Sequence, residues 1–132
     1  MSKWCNDGEN EVLNVFLKGT TRPSFYLGLY TAPTSEPAED ITLSGLTEPS
    51  GNGYSRIQLL DNDWTVSADL ATHTQKTFSC SGGAWGNVYG WFLCNVASGT
   101  SGKVYAVGQF SDGPYNVPDG GAVKVTAKIT AA

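Results

Sequence analysis

The chain has little of what catalysis or nucleic-acid binding draws on. Its 8 lysines and arginines are scattered and stand against 12 aspartates and glutamates, for a formal charge of −4. Neutralising phosphates takes a basic footprint, so nucleic acid is not an expected partner. An anionic membrane surface is excluded on the same ground. No apolar run approaches the ~20 residues that a membrane span requires. None follows the polar, acidic stretch Met1-Ser2-Lys3-Trp4-Cys5-Asn6-Asp7 either, so no signal peptide is expected. Cysteine is sparse and odd in number: Cys5, Cys80 and Cys94. An odd count speaks against a disulfide-stapled secreted module and for reduced thiols in a cytosolic setting. Cys80 and Cys94 remain able to pair if their strands lie side by side.

Histidine is scarcer still. His73 is the single one, set among threonines in Ala71-Thr72-His73-Thr74, and it reads as a solvated side chain. There is no Gly-x-Ser-x-Gly elbow and no His-Glu-x-x-His, and no spacing commends Cys80 or Cys94 as a nucleophile beside His73. Ser81-Gly82-Gly83-Ala84-Trp85-Gly86 lacks the lysine and the helix of a phosphate loop and reads as a turn. Asp61 and Asp63 stand two apart as calcium ligands do, but the rest of a calcium loop is missing; Glu36, Glu39 and Asp40 are a similar case. A small hydrolase would have to rest on carboxylates from distant strands. The expectation is a protein that is not an enzyme and takes no metal or cofactor.

What is plentiful is glycine, 16 in 132 residues, at turn-like positions without a collagen period. The length suits one domain, 1–132. One helix is expected over about 7–18, capped by Asn6 or Asp7, with Glu9 and Glu11 in its first turns and Lys18-Gly19 closing it. Val12, Leu13, Phe16 and Leu17 recur at helical spacing and make one apolar face, to be covered by the chain's own sheet or by a neighbouring subunit.

Seven or eight short strands follow. Ser24–Thr31 alternates Phe25, Leu27 and Leu29 against Tyr26, Gly28 and Tyr30. A long Pro-rich, acidic loop at about 31–53 has only Ile41, Leu43 and Leu46 to anchor it. Further strands are expected at Tyr54–Leu60, Trp64–Val66, His73–Cys80, Asn87–Val96, Lys103–Phe110, Tyr115–Val117 and Ala122–Ile129. Val88–Cys94 is apolar on both faces and reads as a central strand, with Gly90 where something packs close to the backbone. In the last segment Val123, Val125, Ala127 and Ile129 point inward. Helices do not alternate with these strands, so the fold expected is a mainly β, antiparallel β-sandwich, jelly-roll-like or immunoglobulin-like, with one N-terminal amphipathic helix.

Aromatic residues offer more than ionisable ones. Sugar-binding and protein-binding surfaces both use exposed rings. Trp64 and Trp85 lie beside turns, Trp4 precedes the helix, and Tyr26 and Tyr30 share a strand face. With Val12 and Phe16 these form the candidate interface: Trp4, Val12, Phe16, Tyr26, Tyr30, Trp64 and Trp85. The chain's end, Thr130-Ala131-Ala132, reads as a bland tail without chemistry.

The order of several blocks resembles small bacteriophage virion proteins encoded beside capsid and head-assembly genes. The blocks are the helix Asn10–Lys18, Phe25–Thr31, Leu43-Ser44-Gly45-Leu46-Thr47-Glu48-Pro49, Gly53-Tyr54-Ser55-Arg56, Trp64, Thr77–Cys80 and Val88–Phe92. The resemblance implies a structural protein that decorates or cements a phage capsid, partnered by the major capsid protein or other virion proteins. It implies an oligomer of identical copies, often a trimer, and a virion location after assembly in the host cytoplasm. A tail or head-fibre component with a carbohydrate-binding surface is the alternative. No catalytic or ligand residue carries over.

Overall fold

Alternation along the strands decides the architecture. The computed structural model describes residues 2–130. The chain opens with β1 (Ser2–Trp4) and enters α1 (Asn6–Lys18). There follow β2 (Phe25–Tyr30), β3 (Ile57–Leu59), β4 (Trp64–Ser67), β5 (Leu70–His73), β6 (Lys76–Ser79) and β7 (Gly86–Val88). The chain closes with β8 (Gly90–Cys94), β9 (Val104–Gln109), β10 (Tyr115–Val117), β11 (Ala122–Val125) and β12 (Lys128–Thr130). One antiparallel sheet has the order β1-β9-β8-β2-β3; three smaller ladders pair β10 with β7, β11 with β6, and β12-β5-β4 in a row. The fold is mainly β, as expected, but the layer opposite the large sheet is these three ladders and not one continuous sheet.

The large sheet is covered on both faces. One face contributes Leu27, Leu29, Trp91, Leu93 and Ala106, which bury against Phe78, Val88, Val117, Val123, Val125 and Ile129 of the ladders. Val123, Val125, Ala127 and Ile129 all point inward, as their alternation requires. The opposite face carries Tyr30, Phe92, Cys94 and Val107, and the long loop covers them with Leu43 and Leu46. That loop is pinned, with a one-turn 3₁₀ helix at Leu43–Gly45, an isolated bridge from Ala32 to Thr47, and Pro37 buried. Ile41, Leu43 and Leu46 anchor it as anticipated, and the anchoring makes it a cover instead of a free arm.

Three strand pairs set an aromatic ring opposite a glycine: Phe92 opposite Gly28, Tyr30 opposite Gly90, and Trp91 opposite Gly108. A Cβ at any of these glycines would come within 3.0 Å of the facing ring. The rings lie across the glycine backbone, which accounts for the close approach anticipated at Gly90. Cys80 and Cys94 belong to the clusters on opposite sides of the sheet, and all three cysteines are free thiols, so the pairing left open by the sequence does not form.

Several boundaries differ from the sequence reading. The segment Asn87–Val96 is two strands: β7 pairs with β10, and the chain then crosses at Tyr89 into the large sheet as β8. His73–Cys80 is likewise split, His73 closing β5 and Lys76 opening β6. Tyr54–Leu60 shortens to β3. The polar N-terminal stretch supplies an unexpected strand, β1, registered against Ala106–Gly108. Because β1 leads straight into α1, the helix cap is Cys5, not Asn6 or Asp7, and it makes no side-chain capping bond. The Cys5 N–H donates to the Tyr105 carbonyl at 2.8 Å. Tyr105 is the extra residue of a bulge opposite Leu93 and Cys94, and Gly8 of the helix packs on its carbonyl. Gly19 closes the helix with φ 70°, in the left-handed region that glycine enters freely. Ala131 and Ala132, the end of the expected tail, lie outside the described residues.

Candidate interaction surface

The helix keeps its apolar face bare. Only Gly8 is buried, while Val12 and Leu13 are about half exposed and Phe16 and Leu17 more than two-thirds. The reason is local: the helix docks on Tyr105 through a glycine, which leaves Leu13 and Leu17 on the outer side and Val12 and Phe16 along the rim of the crevice beside it.

Beside the helix lies a continuous apolar depression. A crevice of about 360 Å³ runs between α1 and the sheet edge, lined by Trp4, Val12, Val15, Phe16, Phe25 and Tyr105. A second, of about 270 Å³, continues from it past Trp4 and Phe25 to Trp64, Val66 and Ile129. Two contacts tie the walls to the fold. Trp4 Nε1 donates to the Thr130 carbonyl at 2.9 Å, and Phe25 meets Tyr105 edge-on at 5.8 Å between ring centres. Arg22 lies over the Phe25 ring at 4.9 Å and pairs with Asp61, placing one ion pair beside the shared wall. Val66 adds a strongly exposed apolar side chain on β4, the outer strand of its ladder. Contiguous exposed apolar surface of this kind marks an interaction site more often than scattered single residues do.

The structure thus brings together four of the seven candidate interface residues: Trp4, Val12, Phe16 and Trp64. The other three are elsewhere. Tyr30 is fully buried under the long loop, because its strand face is a second core face and not an outer one. Tyr26 is half-buried against the same cluster. Trp85 is interior, standing edge-on to Tyr54 with its Nε1 donating to the Gly51 carbonyl at 3.2 Å; adjacency to a turn did not make it exposed. Of the two turn-adjacent tryptophans offered for sugar contact, Trp64 lines the depression and Trp85 does not reach the surface. Val66 and Phe25 were missed, although Val66 lies two residues past Trp64 on the same strand face.

Several ionisable groups near the depression hold the fold. Asp63 accepts from the Leu60 N–H at 2.8 Å, the Thr74 hydroxyl at 2.9 Å and Lys76 Nζ at 3.1 Å, and these bonds lower its pKa to about 2. Asp61 turns to Arg22 instead, so the two carboxylates do not converge. Burial pushes the Cys5 thiol up to about 12 and raises Cys94 as well. Among the described residues, no three His, Cys, Asp or Glu side chains gather as metal ligands, and no helix is long and apolar enough to cross a membrane. His73 is buried, not solvated, and both its ring nitrogens are engaged by backbone.

Compared with known proteins, residues 3–131 match the model of a family described as podophage GP4 fiber I protein gp80. No curated protein matches the chain.

Proposed function

The chain belongs to the podophage GP4 fiber I protein gp80 family, and from that membership we propose that this virion structural protein is a fibre component of the particle, in preference to a capsid cement. The match over residues 3–131 supports the fibre reading. The observation that carries the contact itself is the bare face of α1 beside the apolar depression. Val12, Phe16, Trp4 and Trp64 form the centre of a contact with other virion proteins or with further copies of the chain. Burying the exposed Phe16 there contributes on the order of 1.5–3 kcal/mol, offset in part by the cost of association. The buried thiols suit assembly in the reducing host cytoplasm.

The test is a phage carrying the double substitution Phe16→Asp and Leu17→Asp. Particles are purified and the chain quantified by mass spectrometry, and the recombinant variant is checked for an unchanged circular dichroism spectrum. The variant should fold and be missing from particles. Incorporation at the wild-type level would remove the helix from the contact. Gold labelling of a tagged chain then separates the locations: label on fibres supports the proposal, and label spread over the head restores the cement reading.

A further inference from the structure

The chain's single histidine is placed as a clasp. His73 retains 2% of its surface. Its Nδ1 is 2.6 Å from the Thr74 carbonyl oxygen and must donate to it, while Nε2 accepts the Ala127 N–H at 3.0 Å. Those two bonds select the neutral ring with its proton on Nδ1. Trp64 stands edge-on to the ring at 5.4 Å between centres.

Ala127 is a junction residue between β11 and β12, and its N–H is held by the imidazole. β12 has three residues, laddered on β5 through Lys128 opposite Thr72, Ile129 opposite Ala71 and Thr130 opposite Leu70. This short strand carries other parts with it. The Ser2 hydroxyl donates to the Lys128 carbonyl and the Trp4 indole to that of Thr130, while Ile129 lines the crevice with Trp4 and Trp64.

A second proton on Nε2 would set an N–H against an N–H. The acceptor for Ala127 would vanish and two buried donors would be left without partners, a costly arrangement that strand movement relieves. The charged groups facing the ring are Asp63 and Lys76, themselves paired at 3.1 Å; Lys128 on the C-terminal strand is exposed to solvent. Burial is the largest influence on the ring and lowers its pKa from 6.5; Lys76 adds to this, and Asp63 and the Thr74 bond oppose it.

We propose that His73 is a proton-operated latch: protonation releases Ala127, loosens β12 and slackens the crevice walled by Trp4, Trp64 and Ile129. The sign follows from the lowered pKa. The neutral ring's contribution is complete above 6.5, the unfolded value, and declines as pH falls from there through the lower folded value.

The test uses the intact chain. Amide exchange is followed by NMR from above pH 6.5 to well below it, with the His73 ring proton shift reporting its titration. The Ala127 and β12 amides should lose about tenfold in protection, corrected for intrinsic rates, as the ring titrates, while Leu27, Leu93 and Val107 keep theirs. His73→Gln, which keeps an acceptor oxygen but cannot titrate, should lack the step. The proposal fails if Ala127 protection holds while His73 titrates, if it falls only together with the large sheet, or if His73→Gln shows the same step. A ring that stays neutral until the whole chain unfolds also overturns it.

Discussion

Arg56 forks onto Glu48, with Nε 2.9 Å from Oε1 and Nη2 2.8 Å from Oε2. The same guanidinium donates to the carbonyls of Val96 at 3.0 Å and Gly99 at 2.8 Å, and its side chain is only 3% exposed. Glu48 Oε1 also accepts the Tyr54 hydroxyl at 2.6 Å, and burial together with that carboxylate holds the phenol well above its ordinary range. The pair joins the long loop to the turn after β8. Glu48→Ala leaves a buried cation without its anion and should destabilise the chain by about 3–5 kcal/mol. Urea unfolding measures it, and the double variant with Arg56→Met should recover part of the loss.

Gly90→Ala should be poorly tolerated. A methyl group there meets the Gly108 carbonyl and the Tyr30 ring, in a sheet with no room to shift. Overpacking of this kind costs about 1–3 kcal/mol. Gly99→Ala is the contrast, because nothing lies within 4 Å of it and the cost is confined to its φ of 82°. Thermal melting of the two variants compares space with backbone strain.

Phenylalanines in two settings should diverge. Phe92 is fully buried, so Phe92→Ala should cost about 3–5 kcal/mol. Phe16 is 84% exposed, and Phe16→Ser should leave stability within about 0.5 kcal/mol. Equal losses in denaturant titrations would mean that the helix face is covered by the chain itself.

Acid should reach Asp63 late. Its pKa is lowered to about 2 from 3.8, so the stability from its bonds to Leu60, Thr74 and Lys76 is present above 3.8 and lost as pH falls toward 2. The carboxyl carbon shift, followed by NMR, should show it still ionised when exposed carboxylates have titrated. A midpoint near 3.8 would mean that those bonds are not kept in solution.

Cys5, Cys80 and Cys94 should resist alkylation in the native chain. All three are buried, and burial raises the pKa of Cys5 and Cys94, so few reactive thiolates are available. Mass spectrometry after iodoacetamide should find the native chain unmodified and the urea-unfolded chain carrying three labels. Native labelling at Cys80, whose Sγ donates to the Gly83 carbonyl at 2.8 Å, would indicate opening of that turn.

By itself the sequence determined a mainly β chain with one helix at its start and the inward set Val123, Val125, Ala127 and Ile129. These are local properties: period-two alternation and glycine turns act within a few residues of one another. Only the tertiary structure decided which faces stay outside. Tyr30 and Trp85 are interior because the loop and the ladders come to rest on them, while Phe16 is exposed because the helix docks through Gly8. His73 is buried because Ala127, 54 residues further on, supplies the N–H that its ring accepts. Burial of a side chain is set by distant segments packing over it, and no local pattern records which segments those are.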